Sequence, residues 1–248
     1  MSNSYDFPAD SAHGYGFAAD AAVAERVEFI RKTYLHLAGA ILLFIGLTSF
    51  FLTNATINQA FQGFLFNGPG GFLGIFIGYM VVSWIASYWA SHAVSPSMQY
   101  GGLLLYTIAE AVIFTPLLMI VQFQFGQAGG NELIMTAGML TMMIFGGLTA
   151  YVLITKQDFS FLRSALVICS FAAFGLVLAS WLFGFHSNLI IVGFFIVLMC
   201  GFILYDTSNV LHHYRTDQYV AASLALFAAM ATLFWYMIRL LMILRGDD

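Results

Sequence analysis

Residues 189–214 read "LIIVGFFIVLMCGFILYDTSNVLHHY". Leu189 to Tyr205 is unbroken apolar sequence with no Pro and no charge, and the first ionisable side chain after it is Asp206. At 1.5 Å per residue such a run is long enough to cross the hydrocarbon core of a bilayer, about 30 Å thick. The stretch therefore reads as a membrane helix that carries a carboxylate before it leaves lipid.

The rest of the chain agrees. Of 248 residues, 61% are hydrophobic and 8% are charged, against about 25% charged in an ordinary soluble domain. Too little polar surface exists to cover a globule of this size, so the sequence predicts an all-α polytopic membrane protein whose solvent is the lipid bilayer. Seven segments have the length of a span: Phe29–Leu52, Phe72–Ser91, Gly101–Phe123, Leu133–Ile154, Leu162–Phe183, Leu189–Leu211 and Val220–Leu244. The stretch "INQAFQGFLF" between the first two reads as an interfacial helix. Residues 1–24 lack a basic region ahead of an apolar core, so they read as a disordered cytoplasmic tail rather than a cleaved signal, with residues 25–248 forming the membrane domain.

Lys and Arg set the expected orientation. With seven spans, Arg26, Arg31, Lys32, Lys156, Arg163 and Arg215 fall on one side, and Arg239 and Arg245 on the other. The amino terminus is thus expected in the cytoplasm, and the short loops suit a bacterial inner membrane. No basic stripe supports nucleic-acid binding. Cys169 and Cys200 lie inside apolar runs and read as packing residues.

The second span carries small residues every fourth position: Gly70, Gly74 and Gly78, then Ser83 and Ser87. Spacing of four keeps them on one face, where they let helices approach closely, so they read as a helix-packing ladder.

Ionisable groups inside spans are few: Glu110 near the middle of the third, Asp206 late in the sixth and Arg239 in the seventh. Each costs roughly 2.5–3.5 kcal/mol at mid-membrane on insertion scales, so each is a functional candidate. Asp206 also meets the negative end of its own helix dipole, which disfavours the ion and suits a proton sensor or gate. Glu110 is the second candidate for an ion pathway. Tyr205, Thr207 and Ser208 are its possible supports around Asp206, and Asp206 is the weak candidate for contacting a metal. Enzymatic chemistry is not expected. No lysine lies in the last span for a retinal, no second aspartate lies in another span for an aspartyl protease, and HExxH is absent.

"TAYVLITKQDFSFL" (149–162) and "GFILYDTSNVLHH" (201–213) resemble the two most recognisable stretches of the Bax inhibitor-1, or transmembrane Bax-inhibitor-motif, family. "FIRKTYLHLAGAILLFIGLTSFFL" (29–52) is similar to its first helix, and the likeness runs from about Arg26 to Arg245, as in a bacterial member. The resemblance implies seven helices with the last one central and a pH-sensitive leak of calcium ions with Asp206 as the sensing aspartate. It also implies an alternative, a non-conducting regulator that binds a membrane-anchored ATP-dependent protease. No cofactor is implied. Two departures stand out. The family's second aspartate belongs in "LFAAMATLF" (226–234), where Phe227, Ala229 and Thr232 stand in place of Tyr, Asp and Asn. An arginine that some members carry late in the second span is also absent, and only His92 is nearby.

Overall fold

The computed structural model describes residues 17–19, 21–66, 69–92, 95–183 and 189–246. The side chains of Gly70 and His92, which the sequence reading named, lie outside what is described, as does most of the 1–24 tail. The described chain is all helix. Seven helices follow in order: α1 (Val23–Thr53), α2 (Ala55–Phe66), α3 (Pro69–His92), α4 (Pro96–Thr155), α5 (Leu162–Phe183), α6 (Leu189–His212) and α7 (Tyr219–Gly246). Six are long and apolar enough to span a membrane, and α4 spans it twice.

That double crossing follows from length and from glycine. Sixty residues of straight helix would run about 90 Å, three bilayer cores. The break falls at Gly126, whose φ of 72° and ψ of 165° belong to backbone that only glycine adopts readily. The arms on either side then lie against each other. A Cβ on Gly130 would stand 2.8 Å from Gln122 Cα, and Gln122 Nε2 donates to Asn131 Oδ1 at 2.8 Å. The sequence "FGQAGGN" (125–131) is therefore the turn of a helical hairpin, and the seven spans are the two arms of α4 with α1, α3, α5, α6 and α7. The stretch read as an interfacial helix falls within the short α2. Asn54 starts it by leaving helical backbone and accepting the Ile57 N–H at 3.2 Å.

In a bilayer both faces of a helix are apolar, so size and polarity rather than hydrophobicity mark the face that packs on protein. On α1 the buried residues Phe29, Thr33, Leu37, Ala40, Phe44 and Thr48 recur every three or four positions. Leu35, Leu42 and Ile45 are exposed on the other side, toward lipid. The most enclosed helix among those that cross once is α7, which packs on α1, α3, α4 and α6. Val220, Ala222, Leu226, Phe227, Leu233 and Ile238 on it are completely buried. Aromatic rings fill the centre: Phe114 stacks on Phe234 at 5.6 Å and meets Phe44 and Trp235 edge-on at 5.0 and 5.1 Å.

The small-residue ladder is corrected. Gly74 and Gly78 are exposed, and a Cβ on either would meet nothing within 4 Å. The tight α3–α4 contact uses a neighbouring stripe instead. Ala86 and Ala90 are buried, and a Cβ on Gly102 would stand 2.6 Å from Ala86 O and 2.7 Å from Ala90 N. Ser83 and Ser87 are half-buried.

One end of the bundle gathers the start of α1, the α4–α5 loop and the α6–α7 loop. There Phe17 bridges Arg215 in antiparallel fashion and the Ala18 N–H donates to Tyr214 O at 2.8 Å. The same end carries an aromatic girdle in which Tyr100 and Tyr219 hydroxyls meet at 2.8 Å beside His36. The opposite end holds the Gly126 turn and the end of α7, joined by Arg245 Nη2 to Glu132 Oε2 at 3.1 Å. Below, these are the basic end and the hairpin end.

Candidate functional site

Asp206 stands on α6 six residues before its end, half-buried at the basic end. Among the described residues it makes no hydrogen bond and no ion pair. No second carboxylate among the described residues pairs with it, and Ala229, where the family resemblance implies a second aspartate on α7, is buried. Tyr214, in the loop after α6, lies near enough to feel its charge. Burial first, and then the Asp206 carboxyl, lift that phenol above its ordinary range.

The three flanking residues fan out around the helix instead of converging on Asp206, because successive helical residues point about 100° apart. Tyr205 packs toward α5 with Leu166 and Ala173. Thr207 is fully buried and faces Tyr34 of α1 and Thr149 of α4. Ser208 turns to the α4–α5 loop, where its Oγ accepts the Phe159 N–H at 2.8 Å and lies 3.3 Å from Asp158 Oδ1. The supporting role expected of these side chains around Asp206 is thus corrected. No group of three or more His, Cys, Asp or Glu able to hold a metal occurs among the described residues, and Asp206 offers a calcium ion one carboxyl where six to eight oxygens are usual.

The α4–α5 loop was not singled out for its geometry by sequence, yet it is what ties the two recognisable stretches together. Lys156 ends α4 in the left-handed conformation, φ 53° and ψ 27°, uncommon for a residue with a Cβ. The chain then drops Phe159 onto Val152 and Leu211. Asp158 Oδ1 accepts the Ser160 N–H at 2.8 Å, and that bond holds its carboxyl below the usual range. His213 Nε2 lies 3.9 Å from Asp158 Oδ2.

Glu110 occupies a different place. It sits on the first arm of α4, 3% exposed, and accepts the Tyr79 hydroxyl of α3 at 2.7 Å. Tyr106, one turn earlier, faces the same pair. The Glu110 side chain forms part of the wall of a cavity of about 550 Å³ that Trp235, Tyr236 and Arg239 of α7 close from another side. These residues come from the half of α7 nearer the hairpin end, whereas Asp206 lies at the basic end. The two acids therefore form two sites, not one. The sequence marks Arg239 as an ionisable group inside the last span; the fold gives it a share in the cavity of Glu110. Tyr79 and Tyr106 gave no sequence signal, because a tyrosine in a membrane span is common and only the fold reveals which acid it meets.

Comparison with known proteins agrees with this architecture. The family described as "Inhibitor of apoptosis-promoting Bax1" matches residues 26–246. The chain is 30% identical over 229 residues to the "Golgi anti-apoptotic protein" of Vaccinia virus, covering 90% of this chain and 88% of that one. It is 30% identical over 122 residues to "Bax inhibitor 1" of Schizosaccharomyces pombe, 47% and 45% of the two chains. An "Uncharacterized membrane protein" of Vibrio cholerae is 30% identical over 133 residues, 52% and 57%. With the profile spanning nearly the whole chain and the hydrogen-bonded pairing of its two signature stretches, this is an integral membrane protein of the Bax inhibitor-1 family.

Proposed function

We propose that the chain is a pH-responsive ion leak, with Asp206 as its proton sensor at the basic end and Glu110 on the ion's way in from the hairpin end. The observation that carries this reading is the 550 Å³ cavity with a buried acid on its wall. A void of that size reaching a carboxyl in mid-bundle is costly for a purely structural helix bundle, and intramembrane acids of this kind mark ion and proton routes. Asp206 suits a sensor because no base and no second acid among the described residues fixes its charge. Calcium is the ion that the family suggests. Lacking a second carboxylate, the chain would carry it by transient contact rather than at a tight site. The reading places the basic end in the cytoplasm of a bacterium and the protein in its inner membrane, because six of the eight Lys and Arg gather there. It involves no catalysis.

The test is flux in proteoliposomes across pH 5 to 8. Asp206→Asn removes the pH dependence of the leak while leaving flux, and Glu110→Gln lowers flux at every pH. A protein that passes no ion at any pH sinks the proposal.

One observation favours a second reading, a non-conducting regulator of a membrane protein such as a protease. Gly74 and Gly78 present an open, small-residue face outward from the bundle, of the kind that receives another membrane helix. Recovery of a partner from mild detergent that Gly78→Leu abolishes would support it.

A further inference from the structure

Seven threonines are buried among the described residues. In an apolar helix a threonine hydroxyl ordinarily finds the carbonyl four residues earlier. Thr33, Thr48, Thr107, Thr115 and Thr141 do so, at 2.7 to 3.0 Å. Thr149 and Thr207 do not. Their hydroxyl oxygens are buried and make no hydrogen bond, although the carbonyls of Phe145 and Ile203 stand one turn away. Both stand beside the hydroxyl of Tyr34, close enough to interact with it, yet none of the three oxygens meets another in hydrogen-bond geometry. Helices α4 and α6 thus turn their threonine hydroxyls to the Tyr34 hydroxyl of α1, and each threonine forgoes its local bond to do so.

The layer above this point is closed. One turn nearer the basic end the same three helices place Ile30, Val152 and Leu211, with Phe159 of the α4–α5 loop set between them. Val152 is fully buried and Leu211 is 3% exposed. The hydroxyls are therefore sealed from the water phase, where an unmet polar group is most costly. Sealed polar groups in a bundle are normally met by an enclosed water, which makes about three hydrogen bonds to groups otherwise unsatisfied. A hydroxyl can donate or accept, so three of them match one water without any charge. A metal ion fits poorly, since three neutral oxygens are half or less of a calcium shell.

We propose that Tyr34, Thr149 and Thr207 bind one buried water molecule that joins α1, the second arm of α4 and α6 beneath the Phe159 seal. The site is separate from Asp206 and from the Glu110 cavity, and it stands whether or not the chain conducts ions.

The full chain in nanodiscs, with Tyr34→Phe, Thr149→Val and Thr207→Val singly and in pairs, tests it by thermal unfolding. Each single variant is expected to lower Tm by about 2–4 °C, the shift that one lost hydrogen bond gives a chain of this size. Each of the three pairs is expected to fall short of the sum, because the first substitution already releases the water. Thr207→Ser, which keeps the oxygen, restores Tm. A map resolving solvent shows density within 3 Å of all three oxygens. Single variants that leave or raise Tm mean that the hydroxyls are truly unmet, and overturn the proposal. So does coupling confined to the pairs that include Tyr34, with Thr149 and Thr207 additive, the mark of direct contacts from its hydroxyl to the two threonines. A Tm of the wild type that rises with sodium, potassium or calcium in a Thr207-dependent way replaces water by a cation and likewise overturns it.

Discussion

The Tyr79–Glu110 bond is the most exacting polar contact in the bundle. It joins α3 to α4 deep in the bundle, and its acceptor is 3% exposed. Tyr79→Phe keeps the ring and removes the donor, so it is expected to cost about 1–3 kcal/mol in thermal unfolding, the range for stranding a buried acceptor. Glu110→Gln keeps a polar group that can still accept from Tyr79 and is expected to cost less. Ser208 holds a comparable place at the basic end. Ser208→Ala leaves the Phe159 N–H without its acceptor, and faster hydrogen exchange at that amide is the expected readout. Asp158 beside it behaves differently with acid. Its carboxyl lies below the usual range in the fold because the Ser160 N–H binds the charged form. The contribution of that turn is therefore present above the unfolded value of about 3.9 and is lost only as pH falls through the lower folded value. Between pH 5 and 8 the Ser160 amide should keep its protection, measured by exchange corrected for intrinsic rate. A fall in protection across that window would show that this turn, not Asp206, answers to neutral pH. Asp206 and Glu110 were legible in the sequence because a charge among apolar residues announces itself. Tyr34, Thr149 and Thr207 were not, since hydroxyls recur throughout the spans and only their rotamers tell the two without a local partner from the five that have one.

Helices in lipid are told apart by the small residues on their faces, and α3 shows how position along one helix decides what such residues do. Gly102 of α4 meets the backbone at Ala86 and Ala90 so closely that Gly102→Ala is expected to push the helices apart and cost about 1–3 kcal/mol. Gly78→Ala, into open space, is expected to leave monomer stability unchanged or raise it through helix propensity. Both are read by thermal unfolding in detergent. The sequence spacing of four identified the glycine stripe but could not say which stripe of α3 the neighbour takes, since that depends on how the helix is rotated in the bundle. The seven spans were visible as apolar runs of the right length. Helix α2 was visible as a short helical stretch between the first two spans, and Asn54 explains its start. What spacing did not convey is that the third and fourth spans form one helical hairpin with a single non-helical residue, Gly126. Gly126→Ala forces a Cβ into backbone that costs about 1–3 kcal/mol, and it would weaken the pairing of the two arms.

At the scale of the whole molecule, an odd number of crossings places every loop on one of two sides. The contacts at the two ends allow that to be checked without reference to function. The start of α1, Lys156 and Arg215 belong to the basic end, where Phe17 meets Arg215 and Ser208 meets the α4–α5 loop. Gly129, Glu132 and Arg245 belong to the hairpin end, where Arg245 reaches both the Gly129 carbonyl and the Glu132 carboxylate. Both native cysteines, Cys169 and Cys200, lie within helices and neither forms a disulfide, so they are removable to give a background for labelling. Single cysteines at Lys156 and Arg215 are then expected to react with an impermeant maleimide only after spheroplasts are opened. A cysteine at Glu132 should react in intact spheroplasts. The Arg245–Glu132 pair also accounts for one of the two arginines that fall on the side poorer in positive charge: Arg245 arrives with a carboxylate beside it and the Phe125 ring 6.0 Å away. Labelling of Glu132 and Lys156 from the same side would break the seven-crossing topology itself. Labelling from opposite sides but in the reverse sense would keep the fold and overturn the orientation, and with it the placing of Asp206 at the cytoplasmic face.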